Sequence, residues 1–346
     1  MTRRLAVLVL AILAPARAAA QEITVSPIDL LSYYEMGQHE RVLKAVADAS
    51  RGDLAVVLEA FKRDSAAWIA QDGPKWVERR RMIVATVALE VAHAAFDLQW
   101  TNSEALIEWT CALLRKERSV SPFERAWHLA ALALLEGARD IEALQLHLTH
   151  MKARVPDEPR LLLARAFVAE TYYWDDVMYP PFGGTTIPRP FRERQLWTED
   201  AMAALVPVLA HPQARNEAAM RLGFYAWRAG RAAQALQYLS TIETPDDPGQ
   251  AHLMHLFTAW SHERLERPDE AIASFRKALE AVPGAQSASL YLAVRLHAAG
   301  RGQEARQIMD TSLEMDPAPV DPWRTFGYGD LRRWPVLIAD LRRMVR

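Results

Sequence analysis

The chain of 346 residues has a single cysteine, Cys111, which excludes an internal disulfide framework and a multi-cysteine zinc site. It lacks an excess of charge of either sign: 41 Lys+Arg face 43 Asp+Glu, for a formal net charge of −2. With no basic excess to neutralise phosphates, nucleic acid is not an expected partner. Glycine is sparse, at 14 residues, which removes collagen-like structure. No stretch approaches the roughly 20 apolar residues that a membrane-spanning helix needs. Reaction signatures are missing as well: G-x-S-x-G, H-E-x-x-H, the P-loop and G-x-G-x-x-G do not occur. His39-Glu40 and His262-Glu263 begin the zinc motif, but neither is completed by a histidine three residues on. What remains is 51% hydrophobic and 24% charged, the balance of a folded globular chain.

The first twenty residues read as a secretory leader. Thr2-Arg3-Arg4 is basic, Leu5 to Ala14 is an apolar run of ten, and Pro15 breaks it ahead of Ala16-Arg17-Ala18-Ala19-Ala20. Cleavage after Ala20 is expected to leave Gln21 first, and the loss of Arg3, Arg4 and Arg17 makes the mature chain more acidic. The expected address is periplasmic or extracellular. Arginine-over-lysine, alanine-rich usage suggests a bacterium.

A period runs through most of the remainder. Ala235, Ala271 and Ala305 lie 36 and 34 residues apart. Each is followed four residues later by a bulky apolar side chain, Leu239, Phe275 or Met309, and then by Pro248, Pro283 or Pro317. A small residue suits the crossing of two antiparallel helices, the large one fills the gap a turn later, and proline begins the next unit. Gly230 and Gly300 stand five residues before their alanines, where a helix ends and reverses. Weaker copies centre on Ala201, Ala143 and Ala105, and Tyr33 to Val42 reads as a further degenerate hairpin. This resembles the tetratricopeptide repeat, W-x₂-L-G-x₂-Y then A-x₃-F then P, with His255 and His262 replacing signature aromatics.

The resemblance implies an all-α, right-handed superhelical solenoid of antiparallel helix pairs. The expected organisation is a leader over 1–20, divergent hairpins over 21–120, and a repeat array over 121–318. The array carries an inserted loop at about 175–196, and a C-terminal capping segment covers 319–346. It also implies a non-catalytic protein that binds a protein or peptide on the concave face lined by the first helix of each pair. By register, that face takes Met220, Phe224, Trp227 and Arg228, then Leu253, Leu256, Trp260 and Arg264, then Leu290, Val294 and His297. The lysines and asparagines with which co-chaperone repeats clamp a terminal carboxylate are missing there. Apolar and aromatic side chains with two arginines suit an extended or helical peptide instead. The Pro/Gly-rich insertion adds Tyr179 and Phe182 as candidate contacts.

No cofactor or metal is expected. His147 with His150, and His252 with His255 and His262, share helix faces, but no acid or thiol completes either set at ligand spacing. Asp175-Asp176 is too small a set of oxygens for a calcium loop. The alternative is an envelope hydrolase or small-ligand binder with a site between the groove and the insertion. Soluble lytic transglycosylases do carry helical solenoids, but they need a lysozyme-like domain for which no segment remains here.

Overall fold

The computed structural model describes residues 31, 54–70, 73–97, 103–114, 119–138, 141–174, 191–315, 320–327, 329 and 333–346. The leader, the Tyr33 hairpin and the 175–190 portion of the insertion lie outside them. The described residues are helical, with no strand among them. No described helix is long and apolar enough to cross a membrane.

The chain divides into two compact units. In the first, helices α1 (Leu54–Ala70), α2 (Pro74–Asp97) and α3 (Ser103–Leu114) pack in sequence. Ile83, Val87 and Val91 of α2 are buried, as is every residue from Ile83 to Ala92, so this stretch of the helix is enclosed on all sides. Phe61 meets Trp109 edge-on with ring centroids 6.1 Å apart. Arg80 is buried, its guanidinium over the Trp68 ring and its Nη1 donating to the Trp68 carbonyl oxygen at 2.6 Å. Cys111 is also buried.

The second unit holds the repeats. It contains α4 (Pro122–Ala138), α5 (Ile141–Arg154), α6 (Arg160–Trp174) and α7 (Phe191–Leu205), followed by a 3₁₀ turn over Val206–Ala210. Then come α8 (Arg215–Arg228), α9 (Ala232–Leu239), α10 (Pro248–Arg264), α11 (Pro268–Ala281), α12 (Gln286–Ala298) and α13 (Gly302–Glu314). The short α14 (Pro322–Phe326) and α15 (Trp334–Val345) end the chain. Neighbours pair as hairpins, α8 with α9, α10 with α11 and α12 with α13, which is the all-α arrangement of the tetratricopeptide-like solenoid.

The marker alanines sit where the period demands. Ala143, Ala201, Ala235, Ala271 and Ala305 are all buried. So are Leu205, Leu239 and Phe275 one turn later, and at the equivalent position after Ala143 the buried side chain is His147. Gly223 shows how closely a pair can approach: a Cβ there would stand 2.6 Å from the Leu239 side chain. The hairpin turns share one geometry. Gly230 has φ +81°, Arg231 N–H donates to the Ala226 carbonyl at 2.8 Å, and Gly230 N–H donates to Trp227 at 3.0 Å. The α12–α13 turn repeats it at Gly300, whereas the α10–α11 turn puts Glu266 at φ +57°, in the left-handed region.

Helix α15 buries Leu337, Ile338, Leu341 and Val345 on one face and leaves Val336 and Met344 exposed.

Candidate protein-binding face

Helices α8, α10 and α12 are the first helices of their pairs, and they carry the side chains that the register assigns to a binding surface. The structure corrects that assignment for five of them. Met220, Phe224 and Leu256 are fully buried, and Trp260 is only 5% exposed. Trp227 and Arg228 are half-buried, and Arg264 is exposed. Tyr179 and Phe182 lie outside the described residues. Leu253 is buried, while Leu290 (54%), Val294 (51%) and His297 are exposed on α12.

For Phe224 and Trp260 the burial has a specific cause. Residues 321–327, containing α14, lie on this face. The Phe326 ring sits 5.1 Å from Phe224 and 5.2 Å from Phe257, both edge-on. Trp323 meets Trp260 perpendicularly at 5.1 Å and stacks on Phe326 at 5.8 Å. Beyond it, Trp260 stacks on Trp227 at 4.9 Å, and Trp227 Nε1 donates to the Trp260 carbonyl oxygen at 3.1 Å. Edge-to-face and offset aromatic pairs of this kind contribute about 0.5–1.5 kcal/mol each beyond the area they bury.

Polar contacts fix both ends of the segment. Asp321 caps α14 by accepting from Trp323 N–H at 2.9 Å. The same carboxylate accepts from the Ser287 backbone N–H at 2.6 Å and from the Ser287 hydroxyl at 2.9 Å, in the first turn of α12. At the other end, Arg221 is buried and paired with Glu217 one turn earlier at 2.7 Å. Its guanidinium lies 4.8 Å over the Phe326 ring. Gly329 then passes so close to buried Glu136 that a Cβ would overlap the carboxylate.

His252 extends this network. The ring is fully buried, with Nδ1 donating to the Ala278 carbonyl oxygen at 2.9 Å and Nε2 lying 3.2 Å from Ser287 Oγ. Burial pushes its pKa below the ordinary value, against the opposing pull of the Ala278 carbonyl and Asp321. Histidine, serine and aspartate are therefore contiguous, but in the wrong order for a nucleophilic triad. The aspartate holds the serine rather than the imidazole, from which it stands 4.0 Å away. The arrangement positions Asp321; it does not activate Ser287.

Two features leave this face receptive. The Trp260 indole N–H is buried without a hydrogen-bond acceptor among the described residues, an omission that commonly costs about 1–3 kcal/mol. Two arginines also gather at its edge, Arg264 lying 5.0 Å over Trp227 and Arg228 5.8 Å over Phe224. Burial, and then the charge of Arg264, push the Arg228 pKa down to about 10.

Elsewhere in the same unit, a cleft of about 680 Å³ opens between α5 and α6, lined by Gln145, Thr149, Lys152, Asp157, Arg165 and His211. Its charges are of both signs, so it selects no obvious ligand. The rings of His128 and His147 are both buried, with centroids 5.2 Å apart. His147 Nε2 lies 3.2 Å from the His128 carbonyl oxygen. Burial disfavours the Glu124 anion nearby, but His128 and a bidentate Arg154, at 2.8 and 2.9 Å, together hold that carboxyl below its usual range.

Sequence reasoning missed Asp321, Trp323, Phe326 and Ser287 as parts of this face. A capping aspartate, a proline at the first helical position and two aromatics three residues apart were visible signals, yet they were read only as part of the C-terminal cap. A tetratricopeptide-repeat family model matches residues 258–322, which takes in α11, α12 and α13. Repeats of that family generally mediate protein–protein interaction. No curated protein matches the sequence.

Proposed function

We propose that this chain is a non-catalytic interaction or scaffold protein, exported to the cell envelope or exterior, that takes a peptide or protein segment on the face formed by α8, α10 and α12. One observation carries the reading. That face holds a short stretch of polypeptide, its own residues 321–327, by the means that peptide-binding surfaces use: aromatic anchors and a carboxylate held at a helix N-terminus. The face also runs on past the segment. Leu290 and Val294, one turn apart and each about half exposed, continue from Ser287 along α12, with Tyr291 beside them against Trp260. Export rests on the basic start, apolar run and alanine-rich junction of residues 1–20.

Photo-crosslinking in the native host tests the surface. A photoreactive side chain at position 290 or 294 should give a discrete protein adduct, and one at exposed Val206 should not. Adducts equal at all three positions, or present only at 206, would place the working surface elsewhere. Mass spectrometry of the native protein should find its N-terminus within about two residues of Gln21. Intact Met1 on cytosolic protein would end the export reading.

A further inference from the structure

We infer that residues 321–327 are an exchangeable, self-inhibiting occupant of this face, and that its partner carries a segment of the same chemistry: a carboxylate, an aromatic two residues later and a second aromatic three beyond that. The inference rests on the face being a protein-binding surface, as proposed above, and names both its ligand class and its regulation.

Three observations point to exchange rather than permanent core. The helix within the segment is only five residues long, too short to hold its shape without the surface beneath it. Its anchors are side chains set against three separate helices, Phe326 on Phe224 and Phe257, Trp323 on Trp260, and Asp321 on Ser287. The fit is also incomplete, because the Trp260 indole N–H finds no acceptor among the described residues and the apolar strip at Leu290 and Val294 is left uncovered. A partner segment that offers a carbonyl to Trp260 and extends along α12 would satisfy both. Because the resident segment is tethered, it competes at an effective concentration on the order of millimolar. It therefore screens out weak ligands and yields only to one that makes the additional contacts.

The test uses a labelled synthetic peptide with the sequence of residues 320–327, titrated by fluorescence anisotropy into the full-length protein. In an Asp321→Ala/Trp323→Ala/Phe326→Ala variant the resident anchors are gone while the face is intact. That variant should bind the peptide at least about tenfold more tightly than the unaltered chain. A peptide with its aspartate replaced by alanine should lose most of that gain. A variant with native helicity and no gain in affinity overturns the inference. Should the variant lose its helicity, hydrogen exchange on the unaltered chain decides. Amides of 323–327 exchanging at least about tenfold faster than those in the middle of α10 support an opening segment, and equal protection overturns it. The two readings fail separately. Peptide binding without crosslinks at 290 or 294 removes the partner surface, whereas crosslinks without peptide exchange remove the self-inhibition.

Discussion

Phe326 and Phe257 are both fully buried and face one another at 5.2 Å, yet replacing each by alanine should have unequal effects. Phe257 lies in the middle of α10, packed on Phe224 and Trp260 as well as on the terminal segment. Truncating it opens a cavity inside the repeat stack, and the expected cost is about 3–5 kcal/mol. For a unit of this size each kcal/mol moves the melting temperature by about 2–4 °C, so Phe257→Ala should melt about 6–20 °C lower. Phe326 buries as much ring, but it belongs to a segment that can leave. Once the segment opens, the missing ring costs nothing further, so the loss is capped by the free energy that holds the segment closed. Phe326→Ala should therefore melt distinctly higher than Phe257→Ala when both are followed by far-ultraviolet circular dichroism. Its near-ultraviolet signal, to which Trp260 and Trp323 contribute, should change well below the melt. Equal melting of the two variants, with no early aromatic change, would show residues 321–327 to be integral core.

Further expectations concern the array. Glu266→Gly should stabilise by about 1 kcal/mol, because a left-handed conformation costs a side-chain-bearing residue about that much; a variant no more stable to urea than the parent would refute this. Ala271→Leu should destabilise by about 1–3 kcal/mol, since Ala271 is fully buried at a helix crossing; an unchanged melt would show the repeat register to be wrong. His252, His255 and His262 all have pKa values lowered first of all by burial, with Lys277 adding to the effect at His255. Each then takes up a proton more readily when unfolded, so stability is full above about pH 6.5 and falls as the pH drops through that value. The urea midpoint should be lower at pH 5.5 than at pH 7.5, and an equal or higher midpoint would remove the argument.

The array was legible because its constraints are local and repeated. Burial of Ala235, Ala271 and Ala305, the positive φ at Gly230 and Gly300, and the proline Pro248 opening α10 all follow from spacing along one chain segment. The surface was less legible because its fate depends on a contact distant in sequence. Helical period puts Phe224 and Trp260 on one face, but it cannot say that Phe326, about a hundred residues after Phe224, will cover them. Glu266 was hidden for a different reason. The turn needs a left-handed residue five before the alanine, and glutamate gives no sign of accepting that conformation. Helical spacing groups His252 with His255 and His262, but it does not show that the His252 Nδ1–H is given to the Ala278 carbonyl oxygen.

The ion pair and aromatic contacts beneath Phe326 have a mechanical corollary. Stacked helical hairpins ordinarily touch only their immediate neighbours, so strain applied at one end is absorbed one repeat at a time. Here a single seven-residue strap is fastened at Arg221 and Phe224 in one repeat, at Phe257 and Trp260 in the next, and at Ser287 in the third. While it is fastened, those three repeats must yield together, as one stiff element. Release of the strap, as inferred above, would free those three repeats to flex and fray independently, so baring the surface and loosening this part of the array are one event.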